Sequence, residues 1–388
     1  MASGHVGKVV DIHTHMYPPE YIKMLEARSA IPLVRTFSSA PDARLILLEA
    51  EVPLLQEAEK AGNRNTSILP GRPLTRHYSS LDQKMHFMDT HHINISVLSL
   101  ANPWLDFLGA TESGPVAASI NEAFSSMCAQ HPGRLFFFAT LPLTAPLETV
   151  IASIAHVGAL RYCRGVILGT SGLGRGLDDA ALLPVLEALA AAGLTIFLHP
   201  HYGLPNAVWG PRAAAAEYGH VLPLALGFPM ETTVAVARMY LAGVFDAVPA
   251  LRMLLAHSGG TLPFLAGRIE SCLRHDGHLL REAEGSGRVG GPARRSIWDV
   301  LHDQVYLDAV IYSEVGLKAA LHAAGSADRL MFGTDHPFFP PLTSDEQGEW
   351  ESVSLNTAAV NKALGEGTEA AKAVMGENAI RVLRLHED

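Results

Sequence analysis

The chain is poor in cysteine. Its three thiols, Cys128, Cys163 and Cys272, are isolated, odd in number and without C-x-x-C spacing, which argues against a disulfide framework and for a reducing, cytoplasmic setting. It also lacks any apolar run of about 18 residues, and the opening MASGHVGKVVDIHTH has no apolar h-region, so neither a membrane span nor a secretory signal is expected. Positive charge is in deficit. Lys and Arg total 29 against 39 Asp and Glu, a net charge of −10 spread along the chain, which speaks against a nucleic-acid partner. Long polar tracts, internal repeats and low-complexity segments are missing too. With 18% charged and 48% hydrophobic residues, the chain can bury a large core.

What the sequence does have is rhythm. Eight short apolar runs recur: KVVDIHTH (8–15), ISVLSLAN (95–102), RLFFFATLP (134–142), RGVILGT (164–170), LTIFLHP (194–200), RMLLAHSGG (252–260), QVYLDAV (304–310) and RLMFGTDHP (329–337). Between them lie segments of helical period at 178–194, 231–251 and 313–330. That alternation predicts parallel strands, and eight of them predict a (β/α)8 barrel of TIM type as one domain over 1–388. Three stretches exceed a minimal connection: an insertion at 16–78, a loop at 201–230 and a Gly- and Arg-rich excursion at 275–297. Long loops at the C-terminal face of a barrel serve as walls and lids.

A barrel gathers the C-terminal ends of its strands around one mouth. Four runs end in His13 and His15, His199, His257, and Asp335. An H-x-H pair alone is weak evidence, because 19 histidines in 388 residues give about one by chance. In a strand, however, residues two apart point the same way, so His13 and His15 can grip one ion. His199 follows LTIFL directly and Asp335 follows LMFGT. His257 is either a fourth imidazole or an acid/base group. His201 stands one step beyond its strand, beside the site, and Asp11 is read as structural, turned away from the histidines. Three imidazoles and a carboxylate suit Zn²⁺, with Mn²⁺ acceptable by ligand type. Lysine is scarce at seven residues, none at a strand end, so the bridging lysine of a two-metal site is missing and one metal is expected.

The segments DIHTH, HPGRLFFFATLP, FLHPH, GFPMETTVAVARMYLAGVFDAVPALRMLLAHSGG, GTDHPF and GENAIRVLRL resemble, in order and over nearly the whole chain, the amidohydrolase superfamily. The likeness is to its decarboxylase branch, typified by aminocarboxymuconate-semialdehyde decarboxylase. Arg72 in PGRPL, Asn102 in LSLANPW, His257 in AHSGG and Phe338 in DHPFF resemble members of that branch acting on 5-carboxyuracil. The resemblance implies a distorted barrel with one Zn²⁺ on His13, His15, His199 and Asp335, and His257 near the reacting carbon. It implies that Arg72 and Asn102 hold the carboxylate and ring, with Phe338 and Phe228 stacking on the ring. The implied activity is metal-dependent, non-oxidative decarboxylation of a planar aromatic or pyrimidine acid, 5-carboxyuracil first, with Asp335 donating the proton assisted by His257. Hydroxybenzoates of the γ-resorcylate type are the near alternative, and mononuclear hydrolysis of a lactone or amide is the distant one. A homodimer or higher homo-oligomer is expected. Trp104 and His336 neighbour the mouth without an assigned role.

Overall fold

The computed structural model describes residues 7–60, 69–210, 218, 221–276, 294–342 and 348–386. Strand β1 (Val10–Met16) opens the barrel, and β2 (Leu33–Arg35), β3 (Arg44–Ile46) and β4 (Arg72–Pro73) form a separate antiparallel sheet. The barrel continues through β5 (Ile95–Leu100), β6 (Leu135–Thr140), β7 (Cys163–Leu168), β8 (Thr195–Leu198), β9 (Met253–Leu255), β10 (Val305–Asp308) and β11 (Leu330–Met331). These lie side by side in chain order, every neighbour pair parallel.

The continuous apolar runs are explained by burial on both faces, as parallel strands covered by helices require. All six residues of β6 are buried. Its Phe137 stacks outward on Phe124 of helix Ser113–Gln130 at 5.9 Å, while Phe138 meets Phe197 of β8 at 5.3 Å. Each such side chain contributes roughly 1.5–3 kcal/mol when removed from water.

Two of these expectations need correction. The run 329–337 is not a full strand. Its ladder ends at Met331 and the chain then crosses onto β1 through single backbone bonds: Ile12 N–H to Phe332 O (3.1 Å), Asp335 N–H to His13 O (2.7 Å) and His15 N–H to His336 O (2.8 Å). Gly333 permits this approach, since a Cβ there would lie 2.7 Å from that of His13. The helix read at 231–251 is two, Phe228–Leu241 and Val244–Ala247, separated at Gly243 in the left-handed region (φ 76°). The insertion at 16–78 is a built wall. Helices Pro19–Glu26 and Val52–Lys60 accompany the β2–β3–β4 sheet, and Leu33, Phe37, Ile46, Leu55 and Ala58 form its own small core.

The loop read at 201–230 ends as helix: a wide turn at Pro223–Gly227 runs straight into Phe228–Leu241, which puts Phe228 on a helix. Most of the 275–297 excursion lies outside the described residues. No described helix is long and apolar enough to cross a membrane.

Candidate active site

Strand alternation brings His13 and His15 to one side of β1, the end of β8 supplies His199, and the loop after β11 supplies Asp335. One ligand atom from each of the four lies within 4.8 Å of the others, all four residues being buried. The outer ring nitrogens are already engaged. His13 Nδ1 meets Asp308 Oδ2 at 2.6 Å, His15 Nδ1 meets Ser99 Oγ at 2.9 Å, and His199 Nδ1 meets the Pro200 carbonyl at 2.7 Å. Ser99 donates its own hydroxyl proton to the Thr14 carbonyl, so it accepts from His15. The inner atoms, Nε2 of all three histidines and Oδ1 of Asp335, are buried without hydrogen-bond partners among the described residues. Four orphaned donor atoms converging on one point, each imidazole locked with its lone pair inward, fit a divalent cation.

The charges of the cage are strongly coupled. The His13 pKa is pushed up to about 10: burial opposes the charge, but the Asp335 and Asp308 carboxylates outweigh it. Burial, assisted by the His13 charge, lowers His15 to about 4, and burial drives His199 well below the usual imidazole range. Although burial alone would raise it, Asp335 lies well below the ordinary carboxylate range because of His13, His15 and His257.

Asp308 is a functional residue that the sequence reading missed. It ends β10, fully buried, and besides His13 its carboxylate accepts from the backbone N–H of His257 (3.0 Å), Ser258 (2.7 Å) and Val310 (3.1 Å). The available signal was its place at the polar end of QVYLDAV. Asp11 stays outside the ligand cluster, and a register shift between Asp11 and Thr14 gives it its own environment, 3.9 Å from the Lys84 ammonium. Its carboxylate accepts the Thr334 hydroxyl (2.8 Å) and the N–H groups of Thr334 and His13. Lys84, on helix Leu81–Thr90, bonds the Thr14 hydroxyl and stays outside the ligand cluster.

His257 also stays outside the cluster. Its Nε2 lies 3.5 Å from Asp335 Oδ2, and its side chain is 14% exposed against 6% for Asp335 and none for His13, so it faces the opening. Two chambers meet above the site. One of about 590 Å³ is lined by His199, His257, Asp335 and Tyr312; the other, of about 260 Å³, by Arg72, Asn102, Tyr78 and Tyr202. Phe228 and Phe338 line both.

The Arg72 guanidinium lies 4.4 Å above the Phe338 ring and 5.4 Å from the Tyr78 ring. One of its Nη atoms donates to Tyr17 Oη and to the Asn102 carbonyl, and its Nε is buried without a partner. Among the described residues no carboxylate is within ion-pair distance of it. Asn102 is partly committed: its amide N–H goes to the His201 carbonyl (2.6 Å) and its oxygen faces Arg72 at 3.4 Å. Tyr17, absent from the sequence reading, thus orients Arg72. His201 stacks on Tyr202 at 3.9 Å beside the site, as expected. Trp104 donates to the Leu100 carbonyl and His336 stacks on Phe87 at 3.7 Å.

Backbone strain concentrates here. Six described non-glycine residues have positive φ, and four of them, His257, Ser258, Tyr312 and Asp335, stand at this mouth.

The amidohydrolase family profile matches residues 10–385. The chain belongs to the amidohydrolase family. This family member is 70% identical to the crystal structure of Metarhizium anisopliae IDCase in apo form, with a TM-score of 0.93, covering 100% of this chain and 99% of that one. It is 28% identical over 302 residues to the γ-resorcylate decarboxylase of Polaromonas sp. strain JS666, covering 74% of this chain and 85% of the relative. In fold it is similar to 5-carboxyvanillate decarboxylase of Novosphingobium aromaticivorans complexed with manganese and 4-hydroxy-3-methoxy-5-nitrobenzoic acid. That likeness has a TM-score of 0.72 at 18% identity, over 99% of this chain and 98% of that one.

Proposed function

We propose that this protein is a divalent-metal-dependent, non-oxidative decarboxylase of planar ring acids, and that its substrate is 5-carboxyuracil (isoorotate), converted to uracil and CO₂. One observation carries the reading: a guanidinium without a carboxylate partner among the described residues, packed on an aromatic face, stands across a Phe-lined opening from a four-atom cation cage. Arg72 offers a planar fork to a carboxylate. Phe228 and Phe338 offer flat apolar surface to a flat ring and exclude water. The choice of 5-carboxyuracil is supported by the likeness to IDCase.

His13, His15, His199 and Asp335 would hold the ion, zinc first and manganese as the alternative. Once bound, it supplies Lewis-acid charge toward the oxygens of the acid. The residues do the rest. Decarboxylation adds a proton to the ring carbon and breaks its bond to the carboxylate; the electron pair of that bond restores the ring double bond as CO₂ leaves. The proton moves through the Asp335–His257 pair. Because the Asp335 pKa is depressed, its carboxylate is ionised at neutral pH and takes up the proton only in passing: it receives it from His257 and passes it to the ring carbon, and solvent at the opening reprotonates His257.

The test is a panel of 5-carboxyuracil, 2,6-dihydroxybenzoate and salicylate, followed by CO₂ release with metal analysis of the same preparation. CO₂ from 5-carboxyuracil, lost on exhaustive chelation and restored by zinc or manganese, is the expected result. Release from the benzoates alone would move the assignment to the γ-resorcylate type, and hydrolysis of a lactone without CO₂ would overturn it. Arg72→Ala is expected to raise KM about tenfold or more with a smaller loss in kcat, read by steady-state kinetics. An unchanged KM would remove Arg72 from substrate binding.

A further inference from the structure

The larger chamber holds a polar group that the chemistry above leaves idle. Tyr312 lies beyond β10 and lines that chamber with His257 and Asp335. Its hydroxyl is buried and has no hydrogen-bond partner among the described residues. Buried hydroxyls rarely go unpartnered, and those that do are commonly aimed at something else. The ring is fixed edge-on by Phe339, with centroids 5.6 Å apart.

The backbone is arranged to keep it there. Tyr312 sits at φ 59°, an uncommon conformation for an aromatic residue. Asn356 of helix Glu351–Leu364 holds this turn: its side-chain oxygen accepts the N–H of Ile311 (3.1 Å) and of Tyr312 (2.8 Å), and its amide nitrogen donates to the Ser352 carbonyl. A strained turn and an unsatisfied hydroxyl therefore stand together on one wall of the chamber. The phenol stays protonated there, because burial and then the Asp335 and Asp308 carboxylates push its pKa up. It is a donor and not a base.

We propose that Tyr312 is a substrate-binding residue whose hydroxyl donates to an oxygen of the ring acid on the edge away from Arg72. The two chambers meet at Phe228 and Phe338, so a ring lying between them presents one edge to the Arg72–Asn102 wall and the other to Tyr312. Ring acids with oxygens on both edges are then favoured over those with one. This assignment rests on the decarboxylase reading and narrows its substrate class.

The experiment compares zinc-loaded parent, Tyr312→Phe and Tyr312→Leu by kinetics, by calorimetric titration with uracil and by thermal melting. Tyr312→Phe keeps the ring and drops the hydroxyl. The expected result is a KM for 5-carboxyuracil about tenfold higher, with kcat within twofold and Tm unchanged. Weaker uracil binding then places the contact on a ring oxygen and supports the proposal; unaltered uracil binding places it on the departing carboxylate, the group given to Arg72, and overturns it. KM and uracil affinity within twofold of the parent would overturn it, as would a defect confined to Tyr312→Leu, which would make the ring a packing element. A loss confined to kcat would also overturn the binding role. Parent protein that releases no CO₂ sinks the decarboxylase reading and this assignment with it. An active parent with an indistinguishable Phe variant sinks Tyr312 alone.

Discussion

Asp335→Asn should lower CO₂ release by roughly 10²–10⁴-fold, the range for removing a positioned acid/base group. The substitution is nearly isosteric, so the loop bonded to His13 through the residue 335 N–H is expected to survive. The charge does not survive. Asp335 is the leading influence holding His13 up to about 10, and its Oδ2 faces His257 at 3.5 Å. A neutral amide can neither pass a proton from His257 to the ring carbon nor offset a dication. Turnover should be read at saturating zinc and again at saturating manganese, with elemental analysis of each sample. Near-normal turnover in a metal-replete variant would remove Asp335 from proton transfer.

The second large effect is expected at Asp308, which touches no substrate-lining space. Asp308→Ala strands the His13 Nδ1–H and the backbone N–H groups of His257, Ser258 and Val310 in a buried setting. Breaking such a buried charged network typically costs about 3–5 kcal/mol, and loss of the group that orients a ligating histidine costs about 10–100-fold in metal affinity. His257 and Ser258 both have positive φ, so the same carboxylate also holds strained backbone in place. Urea unfolding of metal-free protein measures the first effect, and zinc competition against a chelator measures the second. If both stay at parental values, Asp308 is a bystander.

These two aspartates also show what the sequence could and could not convey. Asp335 was legible because a carboxylate following LMFGT stands where a barrel exposes functional groups, and the same logic found His13, His15 and His199. Asp308 occupies the same position after VYL. It was passed over because its partner, His13, is 295 residues away, and no local pattern shows a histidine needing an acceptor on its far nitrogen. Arg72 and Asn102 came from family likeness; spacing alone could not place a loop arginine over Phe338. The β2–β3–β4 sheet stayed hidden because strands of two or three residues carry too few positions to display an alternation. Tyr312 and Asn356 were invisible for a related reason. What marks them is an unsatisfied hydroxyl and a backbone angle, and neither has a signature in residue order.

The crossing of the last strand onto the first has a consequence for how the enzyme matures. Asp335 is delivered by the same few residues that zip the cylinder shut, with Thr334 bonded to Asp11 and the residue 335 amide bonded to His13. A nascent polypeptide still short of that segment owns three imidazoles and no fourth donor. Completing the cage and sealing the cylinder therefore depend on one and the same segment.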